Sequence, residues 1–290
     1  MNRTPPREVR DALAREVNYG CPVQGCGCPF LKWHHFDPPW KVKEHHDPAG
    51  MIALCPTHAE RADGGVFTAN QLQSMKTSPY VRDRLRAPWP WEPEKLLFVL
   101  GGSVILGAGP VLSVSGRTVL QARPGQLPGA RCQALVFDIS LTDPQERPIL
   151  EVVQNQLSAD VQDSRIRTSA RTNRFAIDHD SGVSLQLEYR RYTPTKLRER
   201  LRDLLEDQQL LEYAADRASR EALDSDGLVP VVSVRGHLLT ADWDLKMARK
   251  RTRLTAKFYP GPPAELTPMV FGDGGSLAIV YEGQTLLAFG

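Results

Sequence analysis

Cysteine and histidine are concentrated in one short part of this chain. Four of its five cysteines and five of its seven histidines fall between Cys21 and His58. Sulfur and imidazole ligands at this density are typical of a zinc site. The segment is also rich in proline and glycine and is too short to bury a hydrophobic core of its own, so a bound ion would order it. The sequence therefore predicts a metal-centred module near the N-terminus.

Two pairs of residues supply the four ligands of a tetrahedral zinc ion: Cys21 with Cys26, and Cys55 with His58. Two residues separate Cys55 from His58, a spacing that lets both side chains bind one ion from a tight turn. The other pair is more widely spaced, and Cys28 is an alternative to Cys26. We expect Cys26 to bind and Cys28 to be spare. The competing interpretation is a set of buried free thiols without a metal.

Size and composition predict a globular protein with two domains of ordinary size or one larger domain. The chain has 290 residues, of which 41% are hydrophobic and 24% charged. No apolar run is long enough to span a membrane and the start has no apolar signal segment, so we expect a cytoplasmic protein in which disulfides are rare. A net charge of +2 excludes binding of nucleic acid through a broad basic face, so any such contact must use a local site.

Hydrophobic periodicity and helix-capping signals predict two strands and a helix around the Cys/His segment. The predicted elements are a helix over residues 6–18, strands over 30–35 and 51–54, a short helix over 55–62, and a further helix that begins at Thr68. Thr68 and Gln71 have the spacing of a capping box.

The rest of the chain has a different pattern. Residues 77–95 interleave four prolines with two tryptophans, which predicts a semi-rigid linker. Residues 96–290 alternate short apolar runs with turn signals, which indicates strands. One long amphipathic helix is predicted over 194–213. The predicted fold class is therefore α+β, with domains at 1–76 and 96–290 joined by the linker at 77–95.

Four motifs in the first 76 residues are similar to those of one family. They are Tyr19-Gly20-Cys21 followed by Cys26, Trp33-His34-His35-Phe36-Asp37-Pro38, Met51-Ile52-Ala53-Leu54-Cys55-Pro56-x-His58, and Ala62-Asp63-Gly64-Gly65. In this region, about a quarter of the chain, the sequence resembles the HNH endonuclease family. The resemblance implies a zinc-bound ββα-metal (His-Me finger) domain that hydrolyses phosphodiester bonds of DNA.

The same resemblance implies roles for the paired histidines. His34 would help to bind a catalytic Mg²⁺ or Mn²⁺, and His35 would be the general base that takes a proton from the attacking water. Neutral imidazole, with an unperturbed pKa of about 6.5, accepts a proton at working pH. The zinc at the Cys/His set would be structural and would take no part in the reaction.

Two signature positions differ from the family pattern. Gly50 stands where the family has asparagine, and Ala59 stands where it has a further metal-binding histidine. The replacement ligand is expected from the loop between the strands or from nearby carboxylates; the candidates are His45, His46, Asp37 and Asp63. We include His46 with His34 and His35 in the predicted catalytic set.

The predicted function is thus that of an HNH-type endonuclease with structural zinc and a catalytic Mg²⁺ or Mn²⁺. DNA is the expected partner, with RNA as an open alternative, and no membrane association is expected. The β-rich domain at 96–290 is expected, by analogy alone, to select the target or to bind a protein partner. The alternative function is a catalytically inactive HNH-like zinc module that binds nucleic acid or a protein.

Overall fold

A computed structural model gives the structure of most of the chain. It describes residues 2–100, 103–106, 109–114, 117–125, 134–169, 172–203, 205, 208–239, 243–247, 254–258, 263–266, 270–271, 277–281 and 284–289. The chain forms two compact units, the first from residues 1–88 with 157–171 and the second from 89–156 with 172–290. The predicted α+β class is confirmed, because the described residues form mostly strands together with five helices.

The first unit carries the Cys/His segment. Its elements are α1 (Arg7–Glu16), β1 (Lys32–His35), a 3₁₀ turn (Pro48–Gly50), β2 (Met51–Leu54), α2 (Pro56–Asp63), α3 (Ala69–Thr77) and β3 (Arg84–Pro88). The second unit begins its strands with β4 (Leu97–Leu100), β5 (Ser103–Leu106), β6 (Gly109–Val114), β7 (Arg117–Gly125), β8 (Ala134–Thr142) and β9 (Pro148–Val153).

The chain then returns to the first unit before it completes the second. All but the first residue of β10 (Gln156–Asp160), and all of β11 (Ser164–Ser169), belong to the first unit. The second unit continues with β12 (Arg174–His179), β13 (Ser184–Tyr192), α4 (Pro194–Arg202), α5 (Gln208–Glu221), β14 (Val229–Leu239), β15 (Trp243–Met247), β16 (Leu254–Phe258), β17 (Pro263–Leu266), β18 (Val270–Phe271), β19 (Leu277–Tyr281) and β20 (Gln284–Phe289).

Strands β1 and β2 form the antiparallel hairpin that the sequence predicts. His34 lies opposite Ile52 and His35 lies opposite Met51. The pairing continues past the strand ends, because the Phe36 and Asp37 N–H groups both donate to the Gly50 carbonyl. The histidine pair is therefore placed at the end of a well-ordered ladder.

Helices pack on this hairpin around a small apolar core. The core includes Leu13 of α1, Ile52 and Leu54 of β2, Ala59 of α2 and Leu72 of α3. Helix α3 begins as predicted: the Thr68 hydroxyl accepts from the Gln71 N–H at 3.2 Å and the Gln71 side chain accepts from the Thr68 N–H at 2.8 Å. The core fixes β2 and α2, which flank the ligand candidate Cys55, and α2 carries the ligand candidate His58.

The segment predicted as a linker contains ordered elements. Strand β3 occupies Arg84–Pro88 and alternates buried and exposed side chains. Trp89 and Trp91 are 1% and 3% exposed and pack on each other with ring centroids 4.9 Å apart. A proline at the end of a strand removes no essential ladder hydrogen bond, which is why the proline density of this segment does not prevent β3.

The second unit is mainly antiparallel sheet. One run of hydrogen-bonded neighbours has the order β19-β20-β6-β7-β8-β9, and another has the order β12-β13-β14-β15-β16-β17. Strand β4 pairs in parallel with β14, and β5 pairs with β4 and β18. Two helices, α4 and α5, pack against β4, β5 and the start of β14.

The prediction of a single long helix over 194–213 is wrong. Helix α4 ends at Arg202, Leu205 lies outside a helix, and α5 begins at Gln208. Leucines of α4 and alanines of α5 pack in one core with Leu97 and Val231. The interruption lets the apolar face of each helix reach that core.

Of the helices in the described ranges, none has both the length and the apolar character that a membrane crossing needs.

Candidate metal centre and adjoining cavity

Cys21, Cys26, Cys55 and His58 converge in the first unit, with all four ligand atoms within 4.8 Å of one another. His58 Nδ1 lies 3.3 Å from Cys21 Sγ and 3.2 Å from Cys55 Sγ, and the Cys26 and Cys55 sulfurs are 3.8 Å apart. Bonds of about 2.3 Å to sulfur and about 2.0 Å to nitrogen in a tetrahedral zinc site separate the ligand atoms by about 3.5–3.8 Å. These four side chains can therefore hold a metal ion such as zinc.

The backbone on each side presents these ligands. Cys55 is the N-cap of α2, and its Sγ accepts from the His58 N–H at 3.5 Å, which places His58 in the first turn. On the other side, the Cys21 N–H donates to the Cys28 carbonyl at 2.9 Å and closes the loop that carries Cys26. The two ligand pairs are thus held by a helix start and a closed loop.

The electrostatics of these groups fit a cation. Burial raises the pKa of the Cys21 and Cys26 thiols, so each keeps its proton when no positive charge is near. Burial, with a smaller effect from Arg61, lowers the pKa of His58 and favours the neutral imidazole that binds metals. A bound divalent ion favours the thiolate forms and offsets the cost of burying them.

Cys28 lies outside this group. Its Sγ is directed at the Phe30 carbonyl, 3.9 Å away. Burial raises the pKa of the Cys28 thiol as well. The structure thus places Cys26 with the other ligands and leaves Cys28 beside them.

His34 is paired with a carboxylate. It is 8% exposed, and its Nδ1 lies 3.1 Å from Asp63 Oδ1 at the end of α2. The Arg3 guanidinium lies 3.8 Å from the same oxygen. Burial lowers the pKa of His34, and the Asp63 carboxylate opposes this shift. Among the described residues, no third cysteine, histidine or carboxylate ligand atom lies within 4.8 Å of both.

His35 has a fixed orientation and a fixed tautomer. Its Nε2 lies 3.0 Å from the His45 carbonyl oxygen, so Nε2 carries the hydrogen and donates it. Nδ1 then has a lone pair, and this buried atom has no hydrogen-bond partner among the described residues. Burial lowers the pKa of His35, with smaller contributions from the rings of His45 and His46. His35 is therefore a neutral imidazole with one unengaged lone pair.

The ring of His45 is fully engaged. Its Nε2 donates to the Pro38 carbonyl at 2.9 Å, and its Nδ1 accepts from the Asp47 N–H at 3.2 Å. His45 therefore has no nitrogen left for a metal. Its role is to hold the loop whose carbonyl orients His35.

His46 lies beside His35 but not in the wall of the adjoining cavity. Its Nε2 lies 2.9 Å from the Asn2 carbonyl, and its ring stacks on Trp40 with centroids 5.5 Å apart. The centroids of His46 and His35 are 6.0 Å apart. His46 Nδ1 is buried and has no hydrogen-bond partner within the described ranges.

The two signature positions that differ from the family are both buried. A Cβ atom on Gly50 would lie 1.8 Å from the Asp37 carbonyl oxygen and 2.9 Å from the His45 ring, so no side chain fits there. Ala59 is 6% exposed and belongs to the apolar core. The packing explains Gly50 directly: the close approach that carries the hydrogen bonds from Phe36 and Asp37 excludes an asparagine.

His34 and His35 line an open cavity of about 450 Å³. Asp63 lies in the same wall, and Arg3, Trp40 and Lys41 contribute cationic and aromatic groups. The cavity therefore combines two imidazoles, one carboxylate and two cations. Such a set can position an anionic ester and move a proton.

No protein-family model, curated protein or solved structure matches this chain. The functional assignment therefore depends on the geometry of its own residues.

The cavity contains residues that sequence reasoning missed. Arg3, Trp40 and Lys41 lie outside every motif, and no spacing signal connects them with the histidines. Asp63 was one of two carboxylate candidates, and the position of the end of α2 beside β1 brings it to His34. A polar residue at the end of the helix that follows the ligand pair is the signal that favours Asp63 over Asp37.

Proposed function

We propose that this chain is a metal-dependent nuclease of the HNH type that hydrolyses phosphodiester bonds in DNA. The observation that carries the proposal is the state of His35. Its Nε2–H is held by the His45 carbonyl, and its Nδ1 lone pair is unengaged in a residue that lines the cavity with His34 and Asp63. A general base needs this combination of fixed orientation and free lone pair.

The chain's own residues provide a route for the proton. When substrate binding brings a water from the cavity to the buried His35 Nδ1, this nitrogen accepts a proton from the water, whose oxygen bonds to phosphorus as the bond from phosphorus to the leaving oxygen breaks. The leaving oxygen takes its proton from solvent. Because burial keeps His35 neutral, it is ready to accept a proton at neutral pH.

Charged groups of the cavity fit the substrate. Arg3 and Lys41 supply cations for phosphate oxygens, and Trp40 lines the same cavity. His34 and Asp63 supply an imidazole nitrogen and a carboxylate oxygen, which are donors that Mg²⁺ or Mn²⁺ accepts. A divalent ion there would neutralise charge on the phosphate and on the leaving oxygen.

A second candidate function is a non-catalytic zinc module that binds nucleic acid or a protein. One observation favours it: within the described residues, the pair of His34 and Asp63 has no third protein ligand. In this alternative, the zinc set orders the hairpin and the cavity binds without cleaving.

Nicking of a supercoiled plasmid separates the two candidates. The full chain is incubated with plasmid and Mg²⁺, Mn²⁺ or Ni²⁺, beside the variants Asp63→Asn and Asp37→Asn. The nuclease proposal predicts nicking by the wild type and by Asp37→Asn, whose side chain is exposed and does not line the cavity. The Asp63→Asn variant should nick the plasmid at least tenfold more slowly than the wild type. No nicking with any ion, together with measurable binding of DNA or protein, would support the second candidate.

A further inference from the structure

Strand β3 and the residues before it present a row of arginines. Arg84 and Arg86 of β3 alternate with the buried Leu85 and Ala87, so their side chains share one face, and Arg82 lies just before the strand. These arginines line an open groove of about 460 Å³. Tyr80, which is 49% exposed, precedes the row in sequence and lines the same groove, as do Gly25 and Cys26.

The arginine row is attached firmly to the loop that carries the zinc-ligand candidates. A Cβ on Gly20 would lie 2.6 Å from Leu85 and 2.7 Å from Val81, so this glycine permits the buried side of the row to approach the loop. The Tyr80 N–H donates to the Pro22 carbonyl at 3.3 Å. The groove is therefore held in shape by packing and by the loop of the metal centre.

The charge of the groove is available to a ligand. The guanidinium groups of Arg82 and Arg86 are exposed and have no hydrogen bond or ion pair to any described residue. Arg84 is oriented by Ser158: its Nε donates to the hydroxyl at 2.8 Å and its Nη2 to the carbonyl at 3.2 Å. Asp83 is the one carboxylate among the residues that line the groove. Three guanidiniums thus face a single acid.

We propose that this groove binds a single-stranded segment of nucleic acid. Arg84 and Arg86 are alternate residues of β3, and alternate residues of a β-strand are about 6.8 Å apart. This spacing suits successive phosphates of an extended single strand of nucleic acid. Guanidinium groups match phosphate oxygens in geometry and charge, and an exposed tyrosine ring offers a face on which an unpaired base stacks. The aromatic ring favours a nucleic acid strand over an acidic peptide. The choice of partner rests on the proposed function, but binding in this groove does not require cleavage.

Fluorescence anisotropy with labelled oligothymidylate of about 12 nucleotides tests the inference. The full-length His35→Ala chain is used without added divalent cation, so cleavage does not enter the measurement. Against this background, Arg82→Ala/Arg86→Ala is compared with Arg7→Ala/Arg15→Ala, which removes the same charge from the exposed face of α1. Zinc content and melting temperature confirm that each variant is folded.

The groove variant should bind at least tenfold more weakly than the α1 variant. Its plot of log affinity against log salt should be shallower by about 1.4, because each phosphate contact with a single strand contributes about 0.7 to the slope. Tyr80→Ala should weaken binding about fivefold with the slope unchanged. Equal losses in the two double variants, no binding at all, or tighter binding of a matched duplex would each overturn the inference. A chain that binds through the groove but never nicks plasmid would leave it standing and refute the nuclease proposal.

Discussion

Single hydrogen bonds determine what each histidine of the first unit can do. His45 uses both ring nitrogens on the backbone, so it is structural. His35 uses one nitrogen on the His45 carbonyl and keeps the other unengaged. The difference lies in tautomer and contact, which a sequence does not specify. The adjacent histidines in the sequence nevertheless predicted that imidazole would be concentrated here.

The backbone around Gly50 leaves no room for a side chain. Gly50→Ala should lower the free energy of unfolding of the first unit by about 3 kcal/mol or more, because the new Cβ would overlap the Asp37 carbonyl oxygen. Gly64→Ala is the matched control, since its Cβ would lie 3.5 Å from the nearest atoms. Urea unfolding followed by circular dichroism measures both. Similar stabilities for the two variants would contradict the close packing at Gly50.

The start of α2 couples metal binding to local structure, because a ligand candidate also caps the helix. Cys55 is both a ligand candidate and the N-cap of α2. Serine is a good N-cap but a poor zinc ligand, so Cys55→Ser keeps the helix start and removes the thiolate. We expect metal analysis to find about one zinc per wild-type chain and its loss in this variant. Cys28→Ser should keep its zinc; a full zinc complement in Cys55→Ser would remove Cys55 from the ligand set.

The turn between β8 and β9 should make stability depend on pH. Burial by itself would raise the pKa of Asp143, but the backbone N–H and guanidinium of Arg147, with the Gln145 N–H, outweigh it and lower the pKa. The Asp143 carboxylate accepts from Arg147 Nε at 2.6 Å. The ionised Asp143 carboxylate therefore stabilises the folded state at pH values above its unfolded pKa of about 3.9. This stabilisation is lost as the pH falls through the lower pKa of the folded state.

Asp143→Asn should accordingly be about 1–3 kcal/mol less stable than wild type at pH 7, and the difference should shrink below about pH 4. Urea unfolding at a series of pH values measures it. Glu146→Gln is the control in the same turn, because its exposed pair with Arg117 contributes little. A difference that stays constant from pH 7 to about pH 3 would show that the charge of Asp143 is not responsible.

Elements with local signals were predictable from the sequence. The capping box at Thr68 and the short spacing from Cys55 to His58 fix α3 and the start of α2 within a few residues, so their positions follow from the sequence. Strand β3 was missed because proline-rich composition conceals the alternation of Leu85 and Ala87 with arginines. The break between α4 and α5 depends on a core made by distant strands, which local periodicity does not reveal.

At the scale of the whole molecule, the chain returns to its first unit through residues 157–171. This return depends on contacts between segments far apart in sequence, such as the Val161 N–H donating to the Asp83 carbonyl at 3.2 Å. No local pattern predicts it, so the sequence suggested sequential domains at 1–76 and 96–290. The arginine row owes its position to the same long-range pairing.

Removal of zinc should affect the two units differently. We expect a chelator to accelerate amide hydrogen exchange in residues 2–88, where a metal bound at the four ligand candidates would order loop, hairpin and helix together. Exchange in 134–156 and 172–203 of the second unit should change little, because both ranges contain buried apolar side chains of that unit, such as Phe137 and Leu187. Peptide-level mass spectrometry resolves these ranges. Equal loss of protection in both would contradict the expectation that the metal stabilises only the first unit.

We propose that the unengaged Nδ1 of His35 removes a proton from the attacking water. The most direct measurement is the plasmid-nicking rate of His35→Ala, with and without added imidazole, in protein that retains its zinc. We expect a rate at least a hundredfold below wild type, of the order that general bases contribute, and partial recovery with imidazole. Nicking at the wild-type rate by zinc-loaded His35→Ala would contradict it.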